Sequence, residues 1–152
     1  MIKIICVGKI KERYFNDAIN EYKKRISKYS KLEIIEVSDE ATNNETITLL
    51  KEKERLLKVI NKNDYNIALD INGIFVDSIE LSEKIDNIFT NQNSTITFII
   101  GGSCGLSKEI KDICNLKLSF SKLTFPHQLF RVMLLEQIYR SFKILNNEKY
   151  HK

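Results

Sequence analysis

The 152-residue chain has the length of one domain and is large enough to bury a sizeable core, so we expect a single domain over residues 1–152. Hydrophobic residues make up 43% and charged residues 29% of it, which argues against the disordered and fibrous classes. The net charge of +4 combines a basic start, an acidic middle and a basic end: residues 1–31 hold nine Lys/Arg and three Asp/Glu, residues 32–115 eight and fifteen, and residues 116–152 seven and two.

Hydrophobic periodicity predicts strands and helices in alternation. In chain order they are a strand over 2–8, a helix over 12–29, a strand over 32–38, a helix over 45–60, a strand over 65–71, a turn at Asn72-Gly73, a helix from Asp77 or Ser78 to Phe89, a strand over 94–100, a glycine-rich loop over 101–107, a short helix over 108–114, an alternating strand over 116–121 and a last helix from near Pro126.

This alternation favours an α/β fold with a mostly parallel sheet of five to six strands and helices on both faces, because helices usually connect parallel neighbours. In such sheets ligands bind beyond the carboxyl ends of the strands. The loops after Ile71, Ile100 and Phe120 are therefore the first candidates for a ligand site.

No segment predicts a membrane span or a signal peptide. The apolar start is interrupted at Lys9, and no run approaches the roughly 18 uninterrupted apolar residues of a span. Cys6, Cys104 and Cys114 are odd in number and lack a C-x-x-C spacing, which argues against disulfides and a zinc site. We expect reduced thiols, a cytoplasmic protein and no bound metal. Cys104 lies in the glycine-rich loop and could be a nucleophile, but no histidine is near it in sequence to act as its base.

The two basic ends would form a surface for a polyanion such as RNA if they meet in space. A solvated basic helix face around residues 23–28 is the simpler interpretation. The glycine-rich loop IIGGSCGLSKE fits neither the Walker A pattern nor the G-x-G-x-x-G fingerprint, because Gly101, Gly102 and Gly105 have the wrong spacing. Three glycines within five residues still favour ligand contact as much as a purely structural turn.

The stretch SFSKLTFPHQLFR contains the only proline of the chain. Pro126 suits the first turn of a helix, and Thr124 could cap that helix from just outside. His127 and Arg131 are spaced i, i+4, so both can project from one face near the strand ends. For His127 taken singly, a histidine satisfied in the core is the default. Glu136 and Arg140 form a second i, i+4 pair.

The tail NNEKYHK has no periodicity and by composition is expected to fray. Tyr150 and His151 nevertheless combine an aromatic ring with a side chain whose ordinary pKa lies near neutrality, which suits base stacking and proton transfer.

Four segments together resemble the RlmH family, the SPOUT-class 23S rRNA pseudouridine N3-methyltransferases. They are MIKIICVGKIKERY, ALDING, FIIGGSCGL and LSFSKLTFPHQLFRVMLLEQIYRSFKILNNEKYHK. The resemblance spans essentially the whole chain. It implies a C-terminal trefoil knot, an exception to the rule that chains avoid knots, and a homodimer that acts on 23S rRNA in the assembled ribosome.

The resemblance also implies that S-adenosylmethionine binds in the knot. The positions that match the family's cofactor contacts are Leu69, Gly101, Phe120, Ser121, Lys122, Leu123, Thr124 and Phe125. Our hypothesis for catalysis is that His151 or His127 helps with the proton of the target nitrogen, that Arg131 and Arg140 hold phosphate or the developing anion, and that Tyr150 packs on nucleoside or cofactor. The alternatives are a non-catalytic RNA-binding or ribosome-associated α/β-knot protein and, from the glycine loop alone, a module for another small ligand.

Overall fold

The computed structural model describes residues 1–152 and contains five strands and five helices in alternation. The elements are β1 (Ile2–Val7), α1 (Arg13–Ile26), β2 (Leu32–Val37), α2 (Glu45–Val59), β3 (Tyr65–Phe75), α3 (Ser78–Asn91), β4 (Ile96–Ile100), α4 (Lys108–Asp112), β5 (Leu116–Ser119) and α5 (His127–Leu145). All paired strands run parallel in the order β2-β1-β4-β3-β5. The predicted α/β fold with a parallel sheet is confirmed.

Strands β1 and β4 are buried on both faces and are almost continuously apolar, as parallel strands between two helical layers must be. One core joins alternate residues of β1 and β4, such as Ile4 and Phe98, to helices α1, α3 and α5. A smaller core joins the opposite residues, such as Ile5 and Ile99, to α2 and α4. The long helix α5 packs against both α1 and α3.

Strand β3 is longer than predicted and continues through Asn72-Gly73, where we expected a turn. Its pairing with β5 is irregular between Leu69 and Ile74. A Cβ on Gly73 would lie 2.7 Å from backbone atoms of Lys117 and Leu118. The glycine is therefore needed for the close approach of two backbones rather than for a reversal of the chain.

Of the two side-chain caps that the sequence predicts, one for α3 and one for α5, only the first is confirmed. Asp77 caps α3 and forms a reciprocal capping box with Glu80. The charged helix α2 is capped by Asn44, whose side chain accepts from the Ile47 N–H at 3.1 Å. The expectation that Thr124 caps α5 is wrong: Pro126 occupies the cap position, and no side chain makes a capping hydrogen bond there. The proline ring fixes φ at −54°, close to the helical value, which favours a helix start here although no side chain caps it.

None of the five helices is both long enough and apolar enough to cross a bilayer. No group of three or more His, Cys, Asp or Glu side chains is arranged to hold a metal ion.

Candidate functional site

A cavity of about 430 Å³ opens at the carboxyl ends of β4 and β5, beside residues 69–71 in the middle of β3. Its walls come from these parts of the three strands, from the glycine loop (residues 101–105) and from the segment that leads from β5 into α5, here called the β5–α5 loop (residues 120–126). The volume lies within the range of small-molecule sites, and hydrophobic side chains supply about half of the lining. The position is the one that the strand-end rule predicts for an open α/β sheet.

The glycine loop brings backbone rather than side chains to the cavity. A Cβ on Gly101 would lie 2.5 Å from the carbonyl group of Gly105, so the loop can close on itself only with glycine at this position. Gly105 has a φ of 73°, in the left-handed region that favours glycine. The N–H of Gly105 donates to the Gly102 carbonyl at 3.0 Å. The backbone geometry therefore explains why glycine occurs at two of the three positions, 101 and 105.

The β5–α5 loop is shaped by serine hydroxyls. Ser119 donates from its hydroxyl to the Ser121 carbonyl at 3.1 Å, and the Ser121 hydroxyl accepts from the Leu123 N–H at 3.0 Å. The ring of Phe130 on α5 packs 5.0 Å from that of Phe120 and 6.4 Å from that of Phe125, measured between centroids. These contacts give the cavity an aromatic wall and carbonyl and amide groups at its mouth.

Most residues predicted to contact the cofactor lie around this one cavity. Seven of the eight line it: Leu69, Gly101, Phe120, Ser121, Leu123, Thr124 and Phe125. Lys122 does not line the cavity, and its side chain is exposed. The structure brings these seven together from three separate segments of the chain, and their contact with a cofactor stays a prediction. Asp70 and Phe130 also line the cavity and were missed, because neither stands in a motif that distinguishes it from an ordinary strand or helix residue.

His127 lies at the rim of the cavity and is partly buried. Its Nε2 is 3.2 Å from the place where a Cβ on Gly8 would stand. Gly8 follows β1 and has a φ of 91°, so the loop after β1 passes directly over the imidazole. The default of a histidine satisfied in the core does not describe this position, since the imidazole borders both a cavity and a strand-end loop.

Arg131 occupies a different environment from the one we predicted. Only 1% of the residue is exposed. Its Nη1 donates to Glu36 Oε2 at 2.7 Å and its Nη2 to the Gly8 carbonyl at 3.0 Å. The expectation that Arg131 holds a phosphate does not fit this geometry, because the guanidinium is enclosed and both of its terminal nitrogens are paired, while Nε is buried without a partner. One turn along α5 from His127, the side chain points into the protein and joins α5 to the ends of β1 and β2.

Arg140 takes part in a cluster with the C-terminal tail. Its guanidinium forms the predicted i, i+4 ion pair with Glu136, with the shortest contact at 2.7 Å. It also lies 4.6 Å from the ring centroid of Tyr150, a cation–π distance. Arg140 Nη1 and His151 Nδ1 are 3.3 Å apart.

The tail is docked rather than frayed over these residues. The Tyr150 hydroxyl donates to Glu136 Oε1 at 3.0 Å, and its ring meets that of Tyr139 edge to face at 5.0 Å. Burial and the hydrogen bond to Glu136 raise the pKa of Tyr150 to about 12. The compositional expectation of fraying failed because the contacts come from helix α5, which a local pattern cannot reveal.

The five residues of our catalytic hypothesis therefore occupy three places. His127 borders the cavity, Arg131 is enclosed behind it, and Arg140 and Tyr150 contact Glu136 further along α5, with His151 beside Arg140. None of the last three lines the first cavity. Glu136 lines a second cavity of about 400 Å³, which shares Phe120, Ser121 and Phe125 with the first. The shared β5–α5 loop is the link between the two regions.

Comparison with known proteins gives the family. Residues 1–151 match the family model described as "Predicted SPOUT methyltransferase". The "Ribosomal RNA large subunit methyltransferase H" of Clostridium botulinum (strain Hall) is 56% identical over 157 residues, with 99% of each chain covered. A protein of Methanococcus maripaludis (strain C5), provisionally given the same name, is 59% identical with the same coverage.

A solved structure shares the fold at much lower identity. It is that of a "probable methylase family protein" from Haemophilus influenzae Rd KW20, which is 15% identical, has a TM-score of 0.60 and is matched over 99% of this chain and 70% of its own. At this identity the likeness concerns the fold alone. The family match over nearly the whole length, together with the full-length relatives, is the decisive finding, and the chain belongs to the SPOUT methyltransferase family.

Proposed function

We propose that this protein uses S-adenosylmethionine to methylate N3 of a pseudouridine in 23S rRNA of the assembled ribosome, and that it does so in the cytoplasm. The observation that carries the proposal is that three segments bearing the family's motifs, residues 69–71, 100–105 and 118–127, line one cavity. The names of the full-length relatives support a substrate in the RNA of the large ribosomal subunit. We also propose that the C-terminal part of the chain forms the trefoil knot that the resemblance implies.

The residues present fit a ligand such as S-adenosylmethionine. The aromatic and aliphatic walls, which include Phe120, Phe125 and Leu69, suit a flat nucleobase. Backbone groups of the glycine loop and the β5–α5 loop can approach ribose and amino-acid groups closely, because Gly101 and Gly105 carry no side chains. Bound in this way, the cofactor would supply a methyl group attached to a positively charged sulfur.

The protein's contribution is largely positioning, since transfer needs the target nitrogen in line behind the methyl group. The start of α5 holds His127 at the rim of the cavity, where its imidazole can accept or hold the proton from the nitrogen. Arg131 acts on this geometry indirectly, because it fixes the loop after β1 against α5 from inside the protein. We assign it a positioning role in place of the phosphate contact.

A homodimer is part of the proposal because the tail residues do not line the cavity of their own chain. Arg140, Tyr150 and His151 form one docked cluster on α5, some distance along the helix from His127. In a dimer packed through α5, this cluster of one subunit would reach the cavity of the other. His151 would then be the second candidate for the proton, and Arg140 would face phosphate or the developing anion.

Exposed basic residues next to the site suit an RNA substrate. Lys9, Lys11 and Arg13 follow directly on the loop that covers His127, and Lys122 stands on the β5–α5 loop. The basic start and the basic end of the chain therefore both contribute to the surroundings of the cavity. Phosphate contacts of this kind position a folded RNA without reading its sequence.

The test uses ribosomes from a strain that lacks the gene for this protein. We expect the purified protein to transfer tritium from methyl-labelled S-adenosylmethionine to 23S rRNA, and mass spectrometry of nuclease fragments to place the methyl group on a pseudouridine. Calorimetry with S-adenosylmethionine and sedimentation of the free protein check the cofactor and the dimer. Binding of S-adenosylmethionine and ribosomes without any methyl transfer would favour the non-catalytic alternative.

A further inference from the structure

Glu52 is a buried carboxylate on an otherwise charged and exposed helix. It lies on α2 between Thr48 and Leu56, at i, i+4 spacing, and these three residues form the buried stripe of the helix. Only 3% of Glu52 is exposed, whereas the neighbouring Glu54 is exposed to solvent. Burial of a carboxylate is costly unless hydrogen bonds or an opposite charge compensate it. The position therefore calls for a partner.

Only one of the two carboxylate oxygens of Glu52 has a hydrogen-bond partner. Oε1 accepts from the Glu40 N–H at 3.1 Å, whereas Oε2 is buried and has no hydrogen-bond partner. The cation nearest along the helix, Arg55, is engaged with Glu40 at 2.5 Å and with the carbonyl groups of Ser38 and Asp39. No salt bridge reaches Glu52 from any cation in the chain.

Both carboxylate oxygens face the glycine loop. A Cβ on Gly102 would lie 3.2 Å from Oε1 and 3.3 Å from Oε2 of Glu52, so the loop backbone rests directly on the carboxylate. The loop is short of internal hydrogen bonds: Gly105 N–H donates to Gly102 O, and the N–H groups of Ser103 and Cys104 donate none within the chain. A buried acceptor without a donor thus faces a loop with N–H groups to spare.

We propose that Glu52 is a positioning residue for the cofactor: its free carboxylate oxygen accepts a hydrogen bond from an N–H of residues 102–104 when the cofactor holds the glycine loop in place. The inference rests on the proposed function, since Gly102, Ser103 and Gly105 line the cavity assigned to S-adenosylmethionine. Glu52 itself does not line the cavity and acts only through the loop.

The electrostatic surroundings agree with an acceptor in need of a donor. Burial, as the largest influence, raises the pKa of Glu52, and the negative charges of Asp39 and Glu40 raise it further. The Glu40 N–H and the charge of Arg55 act in the opposite direction. A second N–H from the glycine loop would stabilise the ionised carboxylate, so the loop and the carboxylate stabilise each other.

The test measures S-adenosylmethionine affinity by calorimetry for the full chain and for Glu52→Gln, Glu52→Ala and the matched control Glu54→Gln. The amide of Glu52→Gln keeps one acceptor oxygen but loses the other, so we expect the dissociation constant to rise about tenfold, the effect of one hydrogen bond of roughly average strength. In turnover assays the KM for S-adenosylmethionine should rise while the KM for ribosomes and kcat stay unchanged. Glu54→Gln should match the wild type.

A spectroscopic measurement separates this role from a general loss of stability. In ¹H–¹⁵N spectra of the wild type, S-adenosylmethionine should move one amide proton of residues 102–104 downfield, and Glu52→Gln should abolish that shift while the melting temperature stays close to that of the wild type. Equal affinity and equal amide shifts in Glu52→Gln and wild type would overturn the inference. Failure of the wild type itself to bind S-adenosylmethionine would instead overturn the proposed function.

Discussion

Arg131 donates from its guanidinium to the carboxylate of Glu36, 95 residues earlier in the chain, at 2.7 Å. The same guanidinium reaches the Gly8 carbonyl at 3.0 Å. One side chain of α5 thereby joins the carboxyl ends of β1 and β2 next to the cavity. Glu36 also accepts from the Ile10 N–H at 3.2 Å, so the loop after β1 is held from both sides.

We expect Arg131→Ala to destabilise the fold strongly. It would leave the Gly8 carbonyl and part of the Glu36 carboxylate without donors, which should lower the free energy of unfolding by on the order of 3 kcal/mol. Arg131→Lys keeps the charge but not the fork of donors, so it should lose less. Urea denaturation checks both. The exposed pair of Arg13 and Asp17 is the control, and Arg13→Ala should cost at most about 0.5 kcal/mol. A loss below about 1 kcal/mol for Arg131→Ala would contradict a buried, paired arginine.

The two ends of the glycine loop should respond differently to an added methyl group. In Gly101→Ala the Cβ would meet the Gly105 carbonyl at 2.5 Å, so the loop must open and S-adenosylmethionine affinity should fall by about a hundredfold or more, roughly 3 kcal/mol.

In Gly105→Ala the Cβ meets nothing within 4 Å and only the φ of 73° is unfavourable. We expect a loss of about 1 to 2 kcal/mol in stability and a much smaller loss of affinity. Calorimetry and thermal denaturation of both variants provide the comparison. If Gly105→Ala proved the more damaging for binding, the loop geometry described above would be wrong.

Two substitutions of Tyr150 can distinguish the contribution of its ring from that of its hydroxyl. Tyr150→Phe loses the hydrogen bond to Glu136 but keeps the stack on Arg140, so methylation of ribosomes should fall only about two- to threefold. Tyr150→Ala loses both and should reduce kcat/KM by about tenfold or more, with the global stability little changed. Initial rates of tritium transfer measure the two effects. Full activity of Tyr150→Ala would remove the tail from the catalytic hypothesis.

Thiol reactivity should distinguish the three cysteines. Burial raises the pKa of Cys6 to about 12 and that of Cys114 to about 11, so very little of either is thiolate at pH 8. Cys104 lies in the glycine loop and is partly accessible. Iodoacetamide should therefore modify Cys104 first, and S-adenosylmethionine should slow that reaction by holding the loop. Peptide mass spectrometry over a time course shows the order; faster labelling of Cys6 would contradict its burial.

Stability should fall as the pH rises above about 9. The unfolded Cys6 thiol ionises near its ordinary pKa of 9.0, whereas the folded thiol keeps its proton until about 12, so between these values the unfolded state binds fewer protons. Tyr150 acts in the same direction between its ordinary 10.0 and about 12. Urea unfolding at pH 8, 9, 10 and 10.5 measures the slope, and Cys6→Ala should flatten it. A stability independent of pH over this range would contradict both protected groups.

The sequence was sufficient to predict those strands and helix ends that depend only on neighbouring residues. The apolar runs of β1 and β4 and the capping chemistry of Asp77 place elements without any tertiary information. At Gly73 the same reasoning failed, because a glycine that permits a turn also permits close contact with the backbone of β5. Only the neighbouring strand decides between the two uses.

The sequence by itself therefore determined the alternation of strands and helices, the parallel sheet and, through its motifs, the family, and it indicated the end of the sheet at which the cavity lies. The tertiary structure alone decided that Arg131 faces inward to Glu36 rather than outward to RNA, that Tyr150 is docked on Glu136, and that Glu52 lies under the glycine loop. The physical reason is that propensity and periodicity act over a few residues. Burial and pairing of a charged side chain depend on segments far away in the chain.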